Sequence, residues 1–258
     1  MGKVFITGSS DGIGLKTGQE LLSMGHDVVF HARNSARADE LKTLLEKDVL
    51  VVTGDLSSLG ETETLAAEAE KLAPYDAIIH NAGIGGGGGD GRVVTSDGIE
   101  RIFQVNVIAP YLLTSLMSRS EKMIYLSSGL EANGRVRFDD LMHEQGVFDS
   151  MQAYSDSKLY DVMLAFAVSR LWSGVLSNAV DPGWIRTKLG GPSATDNLDR
   201  GAETQLWLVD GSDPASLVTG KYFKWKKELA ANPAAYDTAL QDKLLELCAD
   251  LTGVKFPG

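Results

Sequence analysis

Cysteine is almost absent from this 258-residue chain. Cys248 stands alone, which excludes an internal disulfide and a cysteine-built metal cluster, and fits a reducing compartment. Proline is scarce, with seven residues, and no proline- or serine-rich linker divides the chain, so residues 1–258 are expected to form a single domain with a sizeable core. Long apolar runs are missing: nothing approaches the ~20 residues of a membrane span, and none is expected. Only Val4 to Ile6 are apolar ahead of Thr7 and Gly8, too few for a signal-peptide core, and Ile6 stands where a myristoylation signal has Ser or Thr. A cytoplasmic location is the expectation. Positive charge is in the minority, 24 Lys and Arg against 35 Asp and Glu, and a net charge of -11 disfavours nucleic acid and anionic membrane as partners. The nearest basic patch, Lys221 to Lys227, reads as a solvated strand end. His26, His31, His80 and His143 lack metal-ligand spacing, so no metal is expected.

What is present is a strict alternation. Val4-Phe5-Ile6 is a short apolar run, followed by glycines and a helical pattern through Ile13, Leu15, Leu21 and Leu22. Val28 to Phe30, a helix through Leu41, Leu44 and Leu45, and Val49 to Val52 complete two βαβ units. The rhythm continues with a helix over 65–72, a strand at 77–80, a helix over 99–117, a strand at 123–126, a helix over 152–171 and a strand at 175–180. A last strand near Tyr222-Phe223 closes the sheet. This order predicts an α/β fold, a doubly wound parallel sheet of the Rossmann kind with helices on both faces. Gly85 to Gly89, five glycines in a row, reads as a mobile surface loop.

Thr7-Gly8-Ser9-Ser10-Asp11-Gly12-Ile13-Gly14 puts glycines at the first strand-to-helix turn. Missing Cβ atoms let a pyrophosphate approach the backbone, and the helix N-terminus favours its charge. A tight βα connection would use the same residues, but the first βα turn of a doubly wound sheet is where dinucleotides bind.

From this turn onward the chain resembles the short-chain dehydrogenase/reductase family over residues 3 to about 225. Gly54-Asp55-Leu56, His80-Asn81-Ala82-Gly83, Val105-Asn106-Val107, Tyr125-Leu126-Ser127-Ser128-Gly129, Tyr154-Ser155-Asp156-Ser157-Lys158 and Asp181-Pro182-Gly183 with Thr187 match its motifs in order. Thr95-x-Asp97-Gly98-x-Glu100 and Thr219 to Phe223 resemble the retinol-dehydrogenase and protochlorophyllide-reductase-like branch. The resemblance implies an oxidoreductase that moves a hydride between a nicotinamide cofactor and an alcohol/carbonyl pair. It implies cofactor contacts from Gly8, Ser10, Asp11, Gly12, Ile13 and Gly14, from Arg33 and Asn34, from Asp55 and Leu56, and from Asn81, Ala82 and Gly83. Tyr154, Lys158, Pro182, Gly183, Trp184, Ile185 and Thr187 complete the cofactor set. A homodimer or homotetramer through the helices around Asn106 and Tyr154 is implied as well.

Tyr154 and Lys158 are four apart, so a helix presents both on one face. A free phenol ionises near ~10, but an adjacent ammonium and an oxidised nicotinamide both favour the phenolate. Tyr154 would protonate the alkoxide in reduction and take the hydroxyl proton in oxidation. By resemblance Ser128, with Ser127 as fallback, would bond the substrate oxygen, and Asn106 would hold a water near Lys158. The second strand ends in His31-Ala32-Arg33-Asn34, with no carboxylate for a ribose diol and a guanidinium suited to a 2′-phosphate. NADP(H) is therefore favoured and NAD(H) is the alternative; Asp11 opposes the phosphate if it points inward. The segment 131–151 either lines a substrate cleft or packs on the surface, and residues near 184–200 are expected to form a substrate lid. A non-catalytic NADP(H)-binding sensor is the competing function, and an epimerase with a larger C-terminal domain ranks last.

Overall fold

Val4, Phe5 and Ile6 are wholly buried in β1 (Lys3–Ile6), as a run of three apolar residues requires when both faces of a strand are covered. β1 lies parallel to β2 (Asp27–Ala32) on one side and to β4 (Ala77–His80) on the other. With β3 (Leu50–Thr53), β5 (Lys122–Leu126), β6 (Leu176–Asp181), β7 (Lys221–Lys224) and β8 (Lys227–Leu229), the computed structural model forms an eight-stranded sheet of order β3-β2-β1-β4-β5-β6-β7-β8. Only β8 runs antiparallel, against β7. The described residues are 1–46, 48–85 and 91–258, so most of the glycine run from Gly85 to Gly89 lies outside them.

The chain leaves β1 toward β2 and β3, then returns to β4 on β1's other side, so the loops after β1 and β4 diverge at a switch point. Alternate strand residues serve opposite layers. Phe5, Val29, Ile78, Met123 and Tyr125 face α3 (Leu59–Glu70), α5 (Ala109–Leu116) and α6 (Ser150–Leu171). Val4, Ile6, Val28, Phe30, Ile79 and Ile124 face α1 (Gly12–Ser23), α2 (Ser35–Leu45) and α7 (Leu198–Asp210). This is the doubly wound fold expected. Among the described residues no helix is long and apolar enough to cross a membrane.

The helix expected over 99–117 is interrupted. A short α4 (Arg101–Phe103) passes into a π-turn at Gln104–Ile108 before α5. The wide turn contains Asn106, whose side chain bonds away from the helix. The lysine-rich run is a hairpin, with Trp225 and Lys226 at positive φ between β7 and β8. Its lysines are partly paired, Lys221 with Glu228 and Lys224 with Asp181, both at 2.8 Å.

A final helix, α8 (Thr238–Thr252), lies on α6 and reaches α5, burying Leu244, Leu245 and Cys248. The tail beyond it is stapled down: Trp172 Nε1 donates to the Pro257 carbonyl at 2.7 Å and its ring stacks on Phe256, while Tyr111 Oη donates to the Val254 carbonyl. The α5 and α6 surfaces through which the resemblance implies assembly are thus covered by the chain's own C-terminal segment.

Candidate active site

The glycine turn is set by the close approach of the segments after β1 and β4. Thr7 Oγ1 accepts the amides of Asn81 and Ala82, both at 3.0 Å, and Asn81 Nδ2 donates to the carbonyls of Thr7 and Gly8. A Cβ on Gly8 would stand 2.8 Å from the Ala82 Cα, and one on Gly14 2.6 Å from the Gly8 carbonyl oxygen. Gly8 and Gly12 also have positive φ, 60° and 56°. The Gly8 amide donates to Nδ1 of His31, whose Nε2 lies 2.8 Å from the Gly54 carbonyl. Burial holds this imidazole below its usual titration range, so it is neutral and bridges the loops after β1 and β3.

Asp11 precedes α1, yet its side chain does not cap the helix. Its carboxylate is taken by Arg37 at 3.0 Å and Lys188 at 2.8 Å. The first amides of α1 therefore keep their positive end without a side-chain cap, which suits a pyrophosphate. Half-buried Ser10 and Ile13 flank the turn. Arg33 is exposed at the end of β2, while Asn34 is used as the cap of α2, accepting the Arg37 amide. Asp55 likewise turns onto its own loop, accepting from the amide and hydroxyl of Ser57, and the Leu56 side chain is in the core. The side chains of Asn34, Asp55, Leu56 and Asn81 are thus spent on holding the loops themselves. Arg37 was missed by sequence reasoning, although it lies on the first turn of the helix that Arg33 precedes.

Asp149 starts α6 by accepting the amides of Met151 and Gln152. One turn in, Tyr154 is half-buried, and Lys158 Nζ lies 5.7 Å from its ring centroid. The fully enclosed ammonium donates to the Leu126 carbonyl at 2.8 Å and to Asp161 Oδ2 at 2.7 Å. Burial pulls on its proton, but Asp161 and Tyr154 more than restore it, so the ammonium is held above its ordinary range. A Cβ on Gly83 would be 3.4 Å from Lys158 Nζ and 3.5 Å from Asn106 Oδ1. Asn106 itself accepts the Ile84 amide and donates to the Ile84 carbonyl and to Ser157 Oγ, strapping the segment after β4 to α6.

The two serines after β5 divide. Ser127 is buried and donates its hydroxyl to the Lys158 carbonyl at 2.8 Å. Ser128 is half-buried, and its Oγ accepts the Leu130 amide, which leaves its hydroxyl proton to donate elsewhere. Tyr222 Oη holds the Ser128 carbonyl at 3.0 Å.

After β6, Asp181 accepts the Gly183 amide, and Pro182 is buried. Gly183 has φ 98°, and a Cβ there would lie 2.9 Å from Asp196 Oδ2. Trp184 is exposed, with Nε1 donating to the Gly190 carbonyl, and Ile185 is buried against Gly201. The Thr187 methyl comes within 3.4 Å of a Cβ placed on Gly12, Lys188 reaches Asp11, and Leu189 meets Gly85, which neighbours the Tyr154 ring. Residues 187–189 therefore cross from the glycine turn toward Tyr154. The segment 131–149 is anchored to α6 by buried Asp156, which accepts the Arg135 amide and Gln152 Nε2 and faces Arg137 and His143, each at 3.4 Å. Among the described residues, no group of His, Cys, Asp and Glu side chains could hold a metal ion.

The family model for short chain dehydrogenases matches residues 2–198. The chain belongs to the short-chain dehydrogenase family. It is 40% identical over 261 residues to the uncharacterized oxidoreductase AN7799 of Emericella nidulans, covering 100% of each. It is 30% identical to retinol dehydrogenase 13 of Homo sapiens, covering 98% of this chain and 85% of the other, consistent with the retinol-dehydrogenase-like branch. A crystal structure of an uncharacterized protein from Mycobacterium Paratuberculosis superposes with a TM-score of 0.86 at 25% identity, covering 100% of this chain and 96% of that one. This short-chain dehydrogenase is accordingly an oxidoreductase of a family that binds a nicotinamide cofactor.

Proposed function

We propose that this dehydrogenase moves a hydride between NADP(H) and a small-molecule alcohol/carbonyl pair, with Tyr154 as acid and base. The observation that carries the reading is the placement of Tyr154 with Lys158 Nζ 5.7 Å from its ring, beside Gly83. When bound, nicotinamide supplies or accepts the hydride.

The chain's own groups handle the proton. In reduction, the Tyr154 hydroxyl gives its proton to the substrate oxygen as negative charge builds there, and the Ser128 hydroxyl donates to the same oxygen. The Lys158 ammonium lies close enough to steady the phenolate that remains, and oxidation runs the same transfer in reverse. Lys158 is anchored at Leu126 and Asp161, and Asn106 fixes the adjacent Ile84 backbone, so the geometry is preorganised. For the cofactor, Gly8, Gly12 and Gly14 admit the pyrophosphate to the start of α1, with Ser10, Asp11 and Ile13 around it and Ala82 and Gly83 along the β4 side. Pro182, Gly183, Trp184, Ile185 and Thr187 border the nicotinamide end. Arg33 and Arg37 favour the 2′-phosphate, since Arg37 and Lys188 already neutralise Asp11. Residues 184–200 act as the substrate lid of a single domain.

The test is NADPH consumption across aldehydes, ketones, quinones and retinoids by the chain and by Tyr154→Phe. Loss of turnover by about a hundredfold or more, with NADPH affinity kept, is expected. Unchanged turnover in the variant overturns the mechanism, and tight NADPH binding without turnover on the whole panel points to a sensor instead.

A further inference from the structure

Asp161 lies three residues after Lys158, inside a stretch of α6 where Leu159, Tyr160, Val162, Met163 and Leu164 are all buried. A carboxylate in such surroundings is costly unless it is paired. Its partner is the Lys158 ammonium at 2.7 Å, and both side chains are 4% exposed. Burial pushes the Asp161 carboxyl above the usual carboxylate range, with Lys158 pulling it back. Lys158 has three N–H groups. One goes to Leu126 and one to Asp161, so the third is left for the side where Gly83, Asn106 and the Tyr154 ring stand.

The charge balance matters as much as the geometry. The Asp161 oxygen can be no farther from the Tyr154 ring than the ammonium's 5.7 Å plus the 2.7 Å of the pair. Because Coulomb energy falls as the inverse of distance, the carboxylate opposes roughly two-thirds or more of the ammonium's potential at the ring centroid. We propose that Asp161 is a positioning residue that fixes the Lys158 ammonium and offsets its charge, keeping Tyr154 in the proton-donating form suited to carbonyl reduction. This rests on the reading of Tyr154 as acid and base.

The two tyrosines and the histidine nearest the pair stay neutral near pH 7. Tyr125 faces Asp161 from β5 and is pushed up by burial; His80 from β4, its ring tilted against Tyr125 and sharing Thr114 Oγ1 with it, is held down to about 3. Tyr222 faces Tyr154 from β7, with Asp181 and Glu131 beyond it, and burial pushes it up too.

The test is an ultraviolet phenolate titration of the chain with NADP+ bound, in the Asp161 and Asp161→Asn backgrounds. The step due to Tyr154 is isolated by subtracting the matching Tyr154→Phe variant. In Asp161→Asn that step moves to lower pH by about one unit, a tenfold change in the proton equilibrium, while Asp161→Glu leaves it within about 0.3 unit. If Asp161→Asn does not fold, Asp161→Ser, which leaves room for a water, reads the same step. A step that stays put or rises in a folded neutral variant overturns the proposal. Failure of both neutral variants to fold overturns it too, because the carboxylate is then a structural counter-ion. Full turnover in Tyr154→Phe would instead remove the acid-base reading, whatever Asp161 does.

Discussion

The Gly8 amide donates to Nδ1 of His31 at 2.8 Å, so the glycine turn hangs on a buried imidazole from the neighbouring strand. The other ring nitrogen, 2.8 Å from the Gly54 carbonyl, must carry the proton for both bonds to exist. Burial lowers the folded-state titration of His31 below its ordinary value, so the neutral ring is the native form. Its contribution to stability is therefore complete above about pH 6.5, the unfolded value, and is lost as pH falls toward the folded one. His31→Asn keeps an acceptor for Gly8 but drops the Gly54 bond, and should cost about 1–3 kcal/mol at neutral pH. Below about pH 6.5 the gap to the parent chain should narrow by up to about 1.4 kcal/mol per pH unit. Urea unfolding at a series of pH values measures this; a constant gap would mean that the ring is not held neutral.

The proposed preference for a 2′-phosphate reduces to charges around Asp11. Arg33→Ala and Arg37→Ala should each weaken NADPH binding by about 10- to 100-fold, the loss of one charge-assisted bond, and leave NADH within about twofold. Asp11→Asn should tighten NADPH, because Arg37 and Lys188 are released from their ion pairs with it. Fluorescence titration with both cofactors decides the matter. Equal losses for NADH and NADPH would show that the arginines hold the loop and do not read the phosphate.

Much of this site is legible in the chain itself, because its glycines, Asn106, Tyr154 and Lys158 sit at fixed offsets from apolar strands whose burial dictates the fold. What escapes is the second partner of each charged group. Nothing local pairs Arg37 or Lys188 with Asp11, since 177 residues separate Lys188 from it. Asp161 had a signal, a carboxylate within an apolar stretch of α6 one turn after Lys158, yet its partner depends on rotamers. The hairpin from β7 to β8 was hidden because Trp225-Lys226 is not a glycine or asparagine turn and β8 is fully exposed, with no apolar alternation. α8 did have a pattern, Leu240, Leu244, Leu245 and Cys248, but it lies beyond the family motifs.

Asp156 ties the segment 131–149 to the helix that bears Tyr154. Two hydrogen bonds, the Arg137 guanidinium and the His143 ring converge on it although its side chain is 1% exposed. Asp156→Ala should destabilise the chain by about 1–3 kcal/mol, since the Arg135 amide and Gln152 lose their acceptor and Arg137 its counter-ion. Asp156→Asn keeps the acceptor for Arg135 and should lose less. Limited proteolysis reports the anchoring directly: cleavage within 131–149 should quicken in both variants under native conditions. Unchanged cleavage would mean that the stack of Phe138 on Tyr160 holds the segment unaided.

The resemblance implies assembly through α5 and α6, but this chain has already spent those faces. Leu244, Leu245 and Cys248 of α8 pack there, Trp172 is closed over by Phe256 at 5.4 Å, and Arg170 reaches Gln241 and Asp242. A stable interface needs about 800 Å² from each partner, and a second copy could gain it here only by displacing α8. The chain should therefore elute with the mass of a monomer, 27.7 kDa, in light scattering across a wide concentration range. Phe256→Asp should loosen the tail, uncover Trp172 and Tyr111, and make association concentration-dependent. A dimer of the parent chain that persists unchanged in Phe256→Asp would place the interface on a face other than α5 and α6.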